Sequence, residues 1–349
     1  MTITEAIKKV VDGASLTVEE AEAVLGQIMA GQATDAQTAS LLTALRMKGE
    51  TVDELTGFAR VMREKAEAVK PQSQTSADLG GTEREALIDT CGTGGDVSGS
   101  FNVSTATAFV VAGAGVRVAK HGNRSVSSQC GSADVVEALG IRIDLPPERI
   151  AMSIDQVGIG FLHAPLLHQA MMYVAPARKQ MGIRTIFNLL GPLTNPARAN
   201  TQVIGVYAPH LTEMLAEVLG RLGSTRALVV HGLDGLDEIS ISGESKITEL
   251  RAGQLSTFTV RPEDFRIARA SLKDIQGGDA TQNAEIITGV LKGQRGPRRD
   301  IVLLNASAAL LASSTVEDMR EGVLLAARAI DSGAAFEKLE RLISFTNQP

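Results

Sequence analysis

The chain has 349 residues, of which 44% are apolar and 21% charged, and 34 basic against 40 acidic side chains give a net charge of −6. This suits a packed globular protein of about two domains and excludes a disordered one. With 3% aromatics and no Trp, the chain also lacks the basic face and stacking platforms of a general nucleic-acid binder. The start, Met1-Thr2-Ile3-Thr4-Glu5-Ala6, has no positive segment ahead of an apolar one, so no signal peptide is expected. The longest apolar run, Ala108 to Val118, is broken by Gly113, Gly115 and Arg117 and is too short to span a membrane. Cys91 and Cys130 lack zinc-site spacing and read as reduced residues of a cytoplasmic protein, with a disulfide between them as the alternative.

Residues 16 to 69 read as successive helices. Thr17 with Glu20, Thr34 with Gln37 and Thr51 with Glu54 form capping boxes, in which a hydroxyl and a longer side chain satisfy orphan amides reciprocally. Each precedes an amphipathic stripe, such as Val24, Leu25, Ile28 and Met29. So small a bundle buries too little to stand alone and must pack on the rest of the chain or on a second copy. Residues 70 to 85, polar and carrying Pro71, Gly80 and Gly81, read as a linker.

From Ala86 strands alternate with helices. Strands are expected at Ala86–Ile88, Val116–Ala119, Val203–Val206 and Ala227–Val230, and helices at Ser104–Gly113, Ser132–Leu139 and Leu211–Leu222. The fold class is therefore α/β, a mainly parallel central sheet flanked by helices, plus a small all-helical domain. Ligands in such sheets sit at the carboxyl ends of strands, and the motifs fall in those loops.

Asp89-Thr90-Cys91-Gly92-Thr93-Gly94-Gly95-Asp96 follows the first strand, and Asn102-Val103-Ser104-Thr105 opens a helix. Its glycines let backbone amides approach an anion, and Ser104 and Thr105 stand at a helix N-terminus. The spacing is neither the dinucleotide nor the Walker fingerprint. The second loop, Lys120-His121-Gly122-Asn123-Arg124-Ser125-Val126-Ser127-Ser128, holds two cations and three hydroxyls and reads as a polyanion cradle, and Gly131-Ser132 then starts another helix. The third, Asp234-Gly235-Leu236-Asp237-Glu238, offers hard oxygen ligands. Alone it reads as a solvated acidic turn; opposite a polyphosphate cradle it reads as a magnesium site.

Arg178 could take a carboxylate bidentately or lie on a helix surface, and the segment leaves both open. The Gly191-Pro192 and Asn195-Pro196 pairs mark a tight turn or loop. His163, His168, His210 and His231 lack metal-ligand spacing and read as packing residues.

Taken together, DTCGTGGD, FNVST, KHGNRSVSS, GSADVVEALG, ARKQMGIRTIFNLLGPLTNPA, DGLDEIS and GGDATQNAEI resemble the anthranilate phosphoribosyltransferase family over nearly the whole chain. The resemblance implies transfer of a phosphoribosyl group from phosphoribosyl pyrophosphate to anthranilate in tryptophan biosynthesis, with Mg2+ and no nucleic-acid or membrane partner. It also implies a helical domain over 1–72, joined by helices from about 175–195, an α/β domain over 84–349, and a homodimer through the helical domain. By position, Gly92, Thr93, Gly94, Gly95, Asp96, Ser100, Asn102, Val103, Ser104 and Thr105 would bind phosphoribosyl pyrophosphate. So would Lys120, Gly122, Asn123, Arg124, Ser125, Ser127, Ser128 and Ser132. Gly92, His121, Asn123 and Arg178 would face anthranilate. Ser104, Asp237 and Glu238 would hold magnesium, and Lys120, Asp237 and Glu238 would be catalytic. Ser100 replaces the family's usual Thr, Val97-Ser98-Gly99 is atypical, and Gln129-Cys130 replaces a usual Lys-Ser. Two other readings are a pyrimidine nucleoside phosphorylase of the same architecture and a non-catalytic relative that binds single-stranded nucleic acid.

Overall fold

Threonine caps organise the beginning of the chain. In the computed structural model, which describes residues 1–72, 85–95, 99–124 and 130–348, helices α1 (Ile3–Val11), α2 (Val18–Met29), α3 (Asp35–Lys48) and α4 (Val52–Lys65) each begin with a capping box. Three were legible in the sequence; Thr2 with Glu5 is a fourth, and it starts a helix ahead of the expected ones. Glu54 does more than cap. It is fully buried, and its carboxylate accepts from Leu16 N–H at 3.0 Å, Thr51 N–H at 2.9 Å and Lys48 Nζ at 3.1 Å. A buried carboxylate is tolerated when paired and hydrogen-bonded in this way. Most of the stretch expected as a linker, 73–84, lies outside the described residues.

Strands β1 (Leu87–Gly92), β2 (Arg117–Gly122), β3 (Ile159–His163), β4 (Thr201–Gly205), β5 (Arg226–Gly232), β6 (Ser245–Arg251) and β7 (Gln254–Val260) form one sheet in the order β3-β2-β1-β4-β5-β6-β7. The first five run parallel, and β6 and β7 add an antiparallel edge. Between strands lie α5 (Val103–Gly113), α6 (Ser132–Ala138), α7 (Pro147–Val157), α8 (Ala164–Leu167), α9 (Ala175–Met181), α10 (Ile186–Leu193) and α11 (Leu211–Arg221). After the sheet come α12 (Ala280–Leu291), α13 (Pro297–Ala312), α14 (Met319–Asp331) and α15 (Ala334–Thr346).

Successive residues of a strand face opposite sides, and both sides of β5 are buried. Leu228 and Val230 join a core built with α5, α13, α14 and α15, while Ala227 and Val229 join a second core. That second core contains the bundle: Leu41, Leu45, Leu55 and Phe58 cluster with Leu189 and Leu190 of α10, Leu215 of α11 and Ile204 of β4. The bundle thus completes one face of the sheet, as its small size requires. Arg63 of α4 pins the junction, donating to Leu193 O at 2.7 Å and Leu222 O at 3.1 Å, the carbonyl ends of two helices. Burial, with the nearby Arg198 charge, lowers its pKa to about 10.

Strand limits differ from the sequence reading in an informative way. β1 runs on through Cys91 and Gly92, and β2 through Lys120, His121 and Gly122, all expected in loops. Gly191-Pro192 lies inside α10 rather than in a turn, because Pro192 falls in the last helical turn. Both cysteines are buried, and no disulfide joins them. Among the described residues no helix is long and apolar enough to cross a membrane.

Candidate active site

The parallel strands bring the loops after β1, β2, β4 and β5 to one edge of the sheet. The strand order reverses direction between β1 and β4, and ligands of such sheets sit outside the carboxyl ends of the strands at that point. Beside it the backbone opens between β1 and β2. Paired positions between β1 and β2 end at Leu87↔Arg117 and Ile88↔Val118, whereas β1 stays paired to β4 as far as Gly92↔Gly205 and β2 to β3 as far as Gly122↔His163.

Beyond Ile88 side chains replace the ladder. Asp89 Oδ1 accepts from His121 N–H at 3.0 Å. Asn195 Nδ2 donates to Asp89 Oδ2 and to Ala119 O, both at 2.8 Å. Lys120 Nζ donates to Thr90 O at 2.6 Å. Asp89 is fully buried and Lys120 only 3% exposed. Burial pushes the Asp89 carboxyl up, opposed by the Lys120 charge and by the hydrogen bonds from Asn195 and His121. Lys120 is therefore a strand residue whose ammonium sits between strands, not the loop cation read from the sequence. Thr90 O needs a donor there and Asp89 a counter-charge.

The first loop meets the acidic pair. Gly94 N–H donates to Asp237 Oδ2 at 2.9 Å. A Cβ on Gly92 would lie 2.7 Å from that oxygen, and one on Gly205 would overlap the Asp237 carbonyl oxygen at 1.5 Å. Only glycine at both strand ends lets the Asp237 loop settle here. Thr93 N–H donates to Gly205 O at 2.8 Å. Gly95 O accepts from Arg184, whose guanidinium lies 4.7 Å above the Tyr207 ring. Asp237 and Glu238 are half-buried. Among the described residues no group of three or more His, Cys, Asp or Glu is placed to hold a metal ion by itself. Two adjacent carboxylates against a phosphate-type loop fit magnesium, which takes one or two carboxylates and fills its shell with water and phosphate oxygens.

Asn102, Val103, Ser104 and Thr105 form the start of α5, and Thr90 Oγ1 donates to Ser104 O at 3.1 Å, tying this helix start to β1. Thr105 is buried, and its hydroxyl has no partner among the described residues. Ser100 bridges to Gln276. At the end of β2, Asn123 N–H donates to Ser132 Oγ at 3.1 Å, and a Cβ on Gly122 would lie 2.4 Å from the same oxygen. Arg124 is exposed and pairs with Asp134 at 2.8 Å and Glu137 at 2.7 Å, so a phosphate must compete with two carboxylates for it. Asp96, Ser125, Ser127, Ser128 and Gln129 lie outside the described residues.

Helix α10 gathers the remaining pair. His121 Nδ1 lies 3.2 Å from Gly191 O, and the Arg178 guanidinium lies 5.3 Å above the Phe187 ring. Phe187 and Gly191 are four residues apart, hence on one face of the helix. A carbonyl only accepts, so His121 Nδ1 carries the proton and Nε2 a lone pair. Burial foremost, then the neighbouring His168 ring, 5.2 Å away between centroids, lowers the His121 pKa to about 3. Burial lowers His168 to about 4. Three residues passed over in the sequence hold this site together: Asp89, Asn195 and Arg184. The signal for Asp89 was available, since a carboxylate inside an apolar strand must be paired.

Known proteins carry the same two-part organisation. A model described as the glycosyl transferase family α/β domain matches residues 84–336, and one for that family's helical bundle domain matches residues 4–66. The anthranilate phosphoribosyltransferase of Moorella thermoacetica is 56% identical over 97% of each chain. The chain belongs to the anthranilate phosphoribosyltransferase family. The enzyme of that name from Symbiobacterium thermophilum is also 56% identical, over 98% of this chain and 97% of its own. The crystal structure of the Thermus thermophilus anthranilate phosphoribosyltransferase superimposes with a TM-score of 0.90 at 43% identity, covering 98% of this chain and 99% of that one. The Saccharomyces cerevisiae anthranilate phosphoribosyltransferase, solved with phosphoribosyl pyrophosphate and Mg, gives 0.87 at 27% identity over 99% and 97%.

The two buried rings make stability depend on pH. Folded, His121 and His168 stay neutral down to about 3 and 4; unfolded, each protonates near 6.5. The unfolded chain binds more protons within that window, so stability is complete above about 6.5 and falls as pH falls. At pH 5 the loss is expected to be about 2 kcal/mol per ring. Urea midpoints measured from pH 7.5 to 5 should drop, and less so in His168→Gln; an unchanged midpoint contradicts the assignment.

Proposed function

We propose that the chain transfers the 5-phosphoribosyl group of phosphoribosyl pyrophosphate to the amine of anthranilate, releasing pyrophosphate. The observation that carries this reading is the convergence of Gly92, Gly94, Gly205 and Asp237 where the sheet order reverses, in a chain with this family membership. Residues 1–72 are proposed as its helical unit and 84–349 as its α/β unit, in a cytoplasmic enzyme.

The glycine loop, the start of α5 and the segment from Gly122 to Ser132 would receive the phosphates and ribose. Asp237 and Glu238, with Ser104, would hold magnesium, which when bound offsets the negative charge that builds on pyrophosphate. Lys120 acts from beneath: fixed by Thr90 O, it adds positive potential at the strand ends without leaving the interior.

Anthranilate's carboxylate suits Arg178, whose guanidinium lies over the Phe187 ring. The amine then lies toward His121. As the nitrogen lone pair bonds the anomeric carbon, the bond to the pyrophosphate oxygen breaks with its electrons. A ring that protonates only near pH 3 is a poor base. His121 therefore does not serve as the base, and catalysis is chiefly positioning and charge stabilisation.

Mixing the protein with anthranilate, phosphoribosyl pyrophosphate and magnesium should extinguish anthranilate fluorescence with matching pyrophosphate release. Arg178→Ala should raise the KM for anthranilate about tenfold and leave that for the phosphorylated substrate in place; the opposite split overturns the assignment. A nucleoside phosphorylase would instead consume free phosphate. Asp237→Asn/Glu238→Gln should lower turnover about a hundredfold and move the magnesium midpoint upward; an unaltered titration removes these residues from the metal.

We also infer a homodimer through the helical bundle. Supporting it, Val11 and Met47 are 66% and 83% exposed beside a groove of about 570 Å³ between α1 and α3, and apolar surface of this kind is suited to a second copy. Sedimentation equilibrium should return twice 36.7 kDa, with Met47→Glu shifted toward the single chain; a wild-type monomer at micromolar concentration refutes the inference.

A further inference from the structure

We propose that Asn283, in the segment GGDATQN that the activity leaves unexplained, is a positioning residue that keeps Asn102 from capping α5 and so holds the helix start open for the phosphorylated substrate. The proposal rests on the reading of phosphoribosyl pyrophosphate as substrate.

The segment is built against the arm that leads from the glycine loop into α5. Gly277 N–H donates to Gly99 O at 2.9 Å, and Phe101 N–H donates to Ile275 O at 3.1 Å, either side of the Ser100–Gln276 bridge. No side chain fits at Gly277: a Cβ would lie 2.6 Å from Asn283 Oδ1 and 2.8 Å from Phe101 Cα.

Asn283 is 2% exposed, and its amide orientation follows from its partners. Gly278 N–H, 2.8 Å from Asn283 Oδ1, can only donate, so the oxygen faces it. Asn283 Nδ2 must then donate to Asn102 Oδ1, at 3.0 Å. The other end of the Asn102 amide agrees, since Nδ2 lies 3.3 Å from Cys130 O, which can only accept. The Cys130 thiol adds a second contact to Asn102 Oδ1 at 3.5 Å.

The consequence falls on α5. Asn102 is its N-cap, a position where asparagine ordinarily folds its side-chain oxygen back onto a first-turn amide. Here it makes no side-chain capping bond. That oxygen is held by Asn283; Val103 N–H donates to Phe101 O at 2.7 Å and Thr105 N–H to Asn102 O at 3.1 Å, so Ser104 N–H is the first-turn amide that the cap would take and that is left for an anion. Helix stability is given up for a place where an anion can bind.

The test is Asn283→Asp, which keeps the bond from Gly278 N–H but cannot donate to Asn102. Its Kd for phosphoribosyl pyrophosphate, measured by calorimetry with magnesium present, should rise about tenfold. The KM for anthranilate and the Tm should stay within a factor of two and within a few degrees of wild type. In an Asn102→Ala background the same change should have no further effect on Kd, because Asn283 acts through Asn102. If the buried charge prevents folding, Asn283→Ala is read by the same measures. Unaltered Kd in a folded variant, equal loss for both substrates, or additive losses in the double variant overturns the role. A wild-type protein that fails to bind phosphoribosyl pyrophosphate overturns the substrate reading itself.

Discussion

Asp89 occupies the position on which the site depends. The ladder between β1 and β2 gives out after Ile88↔Val118, and the polar backbone groups exposed by that separation would be costly to bury unpaired. Asp89, Asn195 and Lys120 meet His121 N–H, Ala119 O and Thr90 O in its place. The same three side chains thereby fix how far apart the two strand ends stand. An acid and an ammonium inside a sheet are expensive singly and tolerable as a hydrogen-bonded set. Loss of one partner would leave the other charge stranded, so this strut works as a unit.

From that opening the remaining parts take their places. Gly92 and Gly205 are strand ends without side chains, so the loop carrying Asp237 can descend onto them. The α5 start is tied to β1 by Thr90, and its cap residue is drawn aside by Asn283. On the other side, α10 offers one carbonyl to His121 and one ring to Arg178 from the same face. The residues gathered by α10 and the glycine loop are therefore supported by different elements.

Much of this was legible in the sequence, and the misses share a physical cause. Capping boxes at Thr17, Thr34 and Thr51 and the strand–helix alternation after Ala86 are local signals, and they led to the right fold class. Gly94 and Gly95 and the pair Asp237-Glu238 marked loops correctly because loop chemistry is written in adjacent residues. Lys120 and His121 were expected in a loop because a charged residue usually ends a buried strand; what keeps them in the sheet is Asp89 and Asn195, about thirty and seventy-five positions away in the chain. Gly191-Pro192 looked like a turn because proline usually stops a helix, yet a proline in the final turn displaces little. Long-range pairing of this kind has no local pattern.

The shared core between the bundle and the sheet has a mechanical meaning. Phe58 of α4 packs near Phe187, the ring beneath Arg178, and Arg63 grips the last carbonyl of α10. The bundle and the acceptor-side helix are thus one rigid lever whose far arm is α1 and α3. A force applied to that outer surface, by crowding or by contact with another molecule, is delivered through α10 to Phe187 and the guanidinium above it.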